Sequence, residues 1–187
     1  QIGAATGVQL VVPDDQFYPN QWGLKNNGTF SLSPAVAGAD IDMENGWNIE
    51  QGDTNIVLGV IDSGTKLDHP EFTGRLWRNY GEIAGNGADD DNNGFIDDIN
   101  GWDFANNDNN PFDDNGHGTN VAGIACATGN NSIGYAGVDW NCKLMTMKGL
   151  DASSFGFYSW WADAIYYAVD NGVNVLNMSL GGTGSSA

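Results

Sequence analysis

The sequence predicts an α/β fold built on a mainly parallel sheet, and three observations lead there. Apolar runs of strand length recur at residues 55–61, 143–147 and 173–178. Near-continuous apolar character suits strands covered on both faces, as in parallel sheets. Between the last two runs, Trp161, Ile165, Ala168 and Val169 recur at helical spacing within residues 157–171, and Gly172 follows as a helix-ending residue. Strand and helix thus alternate, which is the pattern of crossover connections between parallel strands.

The remaining elements fit around this frame. Residues 1–50 are irregular and rich in Gly and Asn, with a short helix expected near residues 41–49. Small residues dominate from Val121 to Ala127, so a helix there can pack tightly inside the fold. Residues 81–116 are rich in Asp, Asn and Gly with little periodicity. A loop that long in a compact domain is usually functional or held by something. No repeat and no linker divides the chain, so its 187 residues are expected to form part of one domain.

Composition narrows the function classes. An apolar fraction of 41%, with 7 Trp, 6 Tyr and 8 Phe, marks a globular chain and not a disordered one. Six Lys and Arg against 24 Asp and Glu give a net charge of −18, which argues against nucleic acid or anionic membrane as a partner. The excess carboxylate is either a solubilising surface or a set of oxygen-rich cation sites. No run of eighteen apolar residues suggests a membrane span. The first residues have neither the basic nor the apolar part of a leader peptide, so any leader is expected to precede this numbering. Cys126 and Cys142 are the only cysteines; a disulfide between them and two buried free thiols both remain open.

Three motifs carry chemistry. Val60-Ile61-Asp62-Ser63-Gly64 places a carboxylate directly after an apolar strand. That is the carboxyl end of the sheet, where open α/β folds put their sites. Asn115-Gly116-His117-Gly118-Thr119 sets a histidine between glycines at the start of a helix. An oriented imidazole there can serve as a general base. Asn177-Met178-Ser179-Leu180-Gly181-Gly182 ends a strand with exposed backbone and little side-chain obstruction, which suits pairing with an extended peptide. Each motif alone has an ordinary structural reading, as a turn or a structural histidine.

Taken together and in this order, the V-I-D-S-G, G-H-G-T-x-V-A-G and N-M-S-L-G-G boxes resemble the subtilisin-like serine proteases, from Gln21-Trp22-Gly23-Leu24 to the end of the chain. The resemblance implies a three-layer α/β/α fold. It implies that His117 is the general base and Asp62 its buried partner. Ser179, Leu180 and Gly181 would form the substrate-binding strand, and residues 153–156, with Ser154, the opposite wall. Asn120 departs from the family box, where a second histidine is usual. The family's G-T-S nucleophile box and oxyanion Asn would lie beyond residue 187, and Ser185 and Ser186 do not match that box. The chain by itself is therefore expected to be inactive, unstable or aggregation-prone without the rest of its domain. Its partners would be polypeptide substrates, that C-terminal part and a possible propeptide, and its location would be extracellular.

Calcium is the cofactor expected, at three places. Asp89-Asp90-Asp91-Asn92-Asn93-Gly94 matches much of the D-x-[DN]-x-[DN]-G calcium loop, with Asp89, Asp91 and Asn93 as ligands, although position twelve is Asn100 and not Glu. The other reading is a polar loop of Asx turns. Residues 101–112 resemble a calcium loop of thermitase-like subtilases, with Asp103, Asn106, Asp108, Asn110 and Phe112 implied. The third is a composite site implied by the same resemblance: Asp15, with Asp14 as its neighbour, Glu71, the Asn131 side chain and the Ile133 and Tyr135 carbonyls. His69, beside Glu71, reads as structural.

Two other function classes compete with an endopeptidase. One is a catalytically dead, calcium-stabilised peptide-binding module, which would not need both Asp62 and His117. The other is an acidic calcium-binding structural protein, which does not account for three boxes in family order.

Overall fold

The computed structural model describes residues 10–30 and 35–182; Ser185 and Ser186 lie outside them. Its elements are helix α1 (Met43–Trp47), strand β1 (Val57–Asp62), strand β2 (Gly101–Asp103), helix α2 (His117–Cys126), strand β3 (Lys143–Lys148), helix α3 (Tyr158–Asp170) and strand β4 (Val175–Asn177). The four strands run in the order β2-β3-β1-β4, and every pairing is parallel.

Side-chain alternation along the strands determines which helix each residue meets. Leu58 and Val60 of β1 and Leu144 of β3 pack with Ala122 and Cys126 of α2 on one face. Ile61, Met145 and Met147 face the other way, onto Ala164, Tyr167 and Ala168 of α3. The sheet is therefore sandwiched between α2 and α3, as the three-layer expectation requires. Asp62 continues the even-numbered series of β1 and so points to the α2 side. The alternation that buries the core also delivers the carboxylate to the helix that carries the histidine.

A third cluster joins the N-terminal segment to the body through Tyr18, Leu24, Trp47, Ala136 and Trp140. The rings of Trp47 and Trp140 lie 4.6 Å apart. Gln21 exchanges two hydrogen bonds with the backbone of Ala136, and Trp47 Nε1 donates to Val138 O. These contacts hold residues 15–21 against the segment that follows α2.

Strand β2 lies inside the acidic segment and was not expected as a strand. It has three residues, too few for periodicity to register, and it forms because Gly101–Asp103 pairs with Thr146–Lys148 of β3. Among the described residues β4 is an edge strand, and Val175, Val169 and Tyr166 are largely exposed. An uncovered apolar edge of this kind is an association risk.

Candidate active site

The site sits where β1 ends and α2 begins. Asp62 is completely buried, and its Oδ1 lies 2.7 Å from His117 Nδ1, while the histidine side chain is 50% exposed. A carboxylate only accepts, so Nδ1 carries the proton and donates. The lone pair of a neutral ring is then on Nε2, at the edge away from Asp62. The Ser63 backbone N–H donates a second bond to Asp62 Oδ1 at 2.7 Å. The carboxylate is thus fixed from the strand side and the imidazole from the carboxylate.

The approach of the two elements depends on glycine. A Cβ placed on Gly118 would stand 2.1 Å from Gly64 O and 3.1 Å from Asp62 Cβ. Only a residue without a side chain lets the first turn of α2 lie this close to the turn after β1. Gly118→Ala is expected to separate them and to destabilise the fold by roughly 1–3 kcal/mol, the usual cost of overpacking. A melting curve checks it, and an unchanged midpoint would contradict this account of the glycine.

A polar network that the sequence did not announce braces the pair. Ser63 Oγ donates to Asp113 Oδ1 (2.8 Å) and accepts from the Gly118 N–H (2.9 Å). Asp113 also accepts from the backbone N–H groups of Asn115, Gly116 and Thr119 and from the Thr119 hydroxyl. Burial alone would raise the Asp113 carboxyl, but these donors outweigh it and hold the group below its ordinary value. Lys148, buried at the end of β3, donates to Ser63 O at 2.8 Å and to Asp114 Oδ1. The Asp62 carbonyl accepts from the N–H groups of Gly149 and Leu150. The sequence signal for Lys148 is a lysine closing an apolar strand in a chain with six Lys and Arg in all.

The expected substrate walls lie on the same side of the sheet. β4 pairs with Leu58–Val60 of β1, so residues 178–182 leave beyond the carboxyl end, beside Asp62. Ser179 Oγ accepts from Asn177 Nδ2, and residues 178–182 adopt no helix. Ser154 takes the left-handed conformation at φ 61°, and its Oγ accepts from Asn115 Nδ2, two residues before His117. The 153–156 segment is thereby tied to the histidine loop.

Two carboxylates of the expected composite site, Asp15 and Glu71, come together beside residues 130–134. Asp15 and Glu71 are both buried, and each has one oxygen, Asp15 Oδ1 and Glu71 Oε1, with no hydrogen-bond partner. Asp15 Oδ2 accepts from the Asn130 N–H, and Glu71 Oε2 from Asn131 Nδ2. Gly134, at φ 53°, leaves room that a Cβ would occupy 2.0 Å from Glu71 Oε1. Burial raises both carboxyls, and the charge of Asp15 adds to the rise at Glu71. Asp14 instead bonds to the N–H and hydroxyl of Ser132 at the surface. Two buried carboxylates with orphaned oxygens in a polar pocket fit a hard divalent cation. Ile133 and Tyr135 stand in the same 130–135 turn, and His69 Nδ1 accepts from the Glu71 N–H.

The other two loops are built differently. Both oxygens of Asp89 accept backbone N–H groups, from Asn93 and Gly94, and each keeps a second acceptor site. Asp91 shares the Asn93 N–H with Asp89 and also converges with Glu82 and Asp98, one oxygen of each of these three lying within 4.8 Å of the others. Asn93 donates to Asp91 and Asp98. In the 103–112 loop, the oxygens of Asp103 accept from Ala105 and Asn106, and Asp108 Oδ1 accepts from the Asn110 N–H. Phe112 bridges to Thr65. Most of these carboxylate oxygens accept backbone N–H groups of their own loops, and each carboxylate keeps further acceptor sites. Cys126 and Cys142 are both buried and stand unbridged in this structure.

The subtilase family description matches residues 53–187, and the chain belongs to that family. It is 45% identical over 121 residues to subtilisin-like protease 1 of Plasmodium berghei, an alignment covering 64% of this chain and 20% of that protein. It is 34% identical over 170 residues to a thermophilic serine proteinase of a Bacillus species, covering 90% of this chain and 33% of that one. Thermitase of Thermoactinomyces vulgaris is 34% identical over 137 residues, covering 73% of this chain and 41% of that one. The chain thus spans less than half the length of these relatives. Among solved structures, proteases of Pseudoalteromonas arctica superpose with a TM-score of 0.68 at 22% identity, covering 95% of this chain and 53% of theirs. The Aeromonas sobria serine protease, solved with a chaperone, gives 0.67 at 22% identity, covering 96% of this chain and 27% of that one. These two support the fold.

Proposed function

We propose that this chain is the N-terminal part of the catalytic domain of a secreted, calcium-stabilised serine endopeptidase, supplying the base and its partner to a serine outside these residues. The observation that carries the reading is the 2.7 Å contact between buried Asp62 and half-exposed His117. In this reading His117 Nε2 takes the proton of the attacking serine hydroxyl and returns it to the leaving amine. Asp62 keeps the proton on Nδ1 and stabilises the imidazolium formed in between. A peptide lies extended between residues 179–181 and residues 154–156, held by backbone pairing.

Asp15, Glu71, Asn131 and the carbonyls of Ile133 and Tyr135 would hold calcium, which when bound neutralises the two buried carboxylates. Asp15 tethers the N-terminal segment, Glu71 the turn after β1, and residues 131–135 the loop after α2. An extracellular location is supported by the family and by such relatives as the halolysin-like extracellular serine protease of Natrialba magadii. No helix among the described residues is long and apolar enough to cross a membrane. A propeptide would be a folding partner in this reading, as the family resemblance implies. The test is casein hydrolysis by the protein that contains this chain. Activity lost in His117→Ala, with the melting transition kept, supports the reading; activity retained in that variant overturns it.

A further inference from the structure

We infer that Cys126 and Cys142 are the site of a disulfide that closes the loop carrying Asn131, Ile133 and Tyr135. Cys126 is the last residue of α2 and Cys142 immediately precedes β3; both are 1% exposed and share one core cluster. A single guanidinium spans them. Arg75 Nη1 donates to Cys126 O at 2.8 Å, and Arg75 Nη2 donates to Cys142 O at 2.8 Å and reaches Cys142 Sγ at 3.5 Å. The backbones on either side are locked as well. Val138 and Asp139 N–H groups donate to Ile124 and Ala125 carbonyls, and the Gly137 N–H donates to Ala127 O. Both side chains pack in one cluster between α2 and the sheet, and one guanidinium bonds the backbones of both, so bridging them requires little backbone movement.

The exchange can start at either thiol and balances in the same way; from Cys142 it begins with attack of that thiolate on an external disulfide. The oxidant is a small or protein disulfide of the glutathione class. Cys142 displaces one of its sulfurs as a thiolate and forms a mixed disulfide. Cys126, losing its proton, then attacks the Cys142 sulfur and expels the second. Two cysteine thiols are oxidised and one external disulfide is reduced to two thiols. Because both sulfurs are buried in the folded chain, the bond forms while the segment is still open.

The consequence lies in the enclosed loop. Fifteen residues separate the cysteines, including all of 130–135 and Trp140, whose Nε1 donates to Gly137 O. A closed loop of that length costs the unfolded chain entropy, so the bond holds the 130–135 turn independently of any cation.

The test is peptide mapping of the protein containing this chain, made in an oxidising compartment and denatured without reductant in iodoacetamide. The expected result is a linked pair of peptides containing Cys126 and Cys142, with neither alkylated. Dithiothreitol should lower the melting midpoint by roughly 6–12 °C, and a Cys126→Ala/Cys142→Ala variant should melt low with or without it. Alkylation of both cysteines, or linkage of either to another molecule, would overturn the inference. This readout needs no activity, so it can fail or succeed separately from the proposed function.

Discussion

Replacing Asp62 by Asn is expected to lower kcat about 10⁴-fold with little change in KM, in the protein that contains this chain. The carboxylate can only accept, so it keeps the proton on His117 Nδ1, 2.7 Å away. An asparagine can turn its Nδ2 donor towards Nδ1 and favour the opposite tautomer. Nε2 then carries the proton and has no lone pair for a serine hydroxyl. Substrate binding along residues 179–181 does not involve Asp62, which is why KM should hold. The melting transition should persist, since the Ser63 and Asp113 network that joins β1 to α2 is untouched. Unchanged kcat would show that the Asp62–His117 contact is structural only.

The second large effect concerns calcium. In calcium-free buffer at neutral pH, Asp15 and Glu71 are two buried carboxylates acting on one another, each with an orphaned oxygen. A cation bound only by the folded state stabilises it by about 2.7–4.1 kcal/mol at 100 to 1,000 times its dissociation constant. Removing calcium should therefore lower the melting midpoint by roughly 5–15 °C, and Glu71→Gln should abolish most of that response. The sign of the pH dependence follows from the raised carboxyls. Their ordinary values are 3.8 and 4.5, and burial raises both in the folded state. Without calcium the folded state binds these protons more tightly than the unfolded one. The destabilisation they cause is then full at neutral pH and is relieved as pH falls through the raised values towards 4.5. With calcium, protons compete with the ion over the same window. The gap between calcium-bound and calcium-free midpoints should narrow as pH falls from 7 to about 4.5. A gap that is absent, or independent of pH, would contradict this assignment.

Much of the frame was legible because it rests on local pattern. The apolar runs that became β1 and β3 are covered on both faces, and such strands show themselves without tertiary information; β4, an exposed edge strand, was legible from its apolar run alone. α3 was readable from its periodicity, and it ended within two residues of the expected bounds. Asp62 and His117 were legible because strand end and helix start are local features. The bracing network was not. Ser63, Asp113 and Lys148 look like ordinary turn and strand residues, and only the packing of β1, β3 and the 113–119 segment turns them towards one another. β2 was hidden for a related reason, since a three-residue strand exists only through its partner. In the acidic loop Asp89, Asp91 and Asn93 have calcium-loop spacing, and Asp89 and Asp91 accept the same Asn93 N–H. Glu82 and Asp98, which meet Asp91, lie outside the motif. At the composite cluster, Asp15 and Glu71 are far apart in sequence, and the family resemblance rather than spacing joined them.

The most direct test of the central claim is to react the protein containing this chain with a phosphonate that traps activated serines, and to map the label by mass spectrometry. The account predicts one labelled serine outside residues 1–187, with labelling slowed at least 10³-fold in His117→Ala. No labelled serine, or labelling at the same rate without His117, would contradict it.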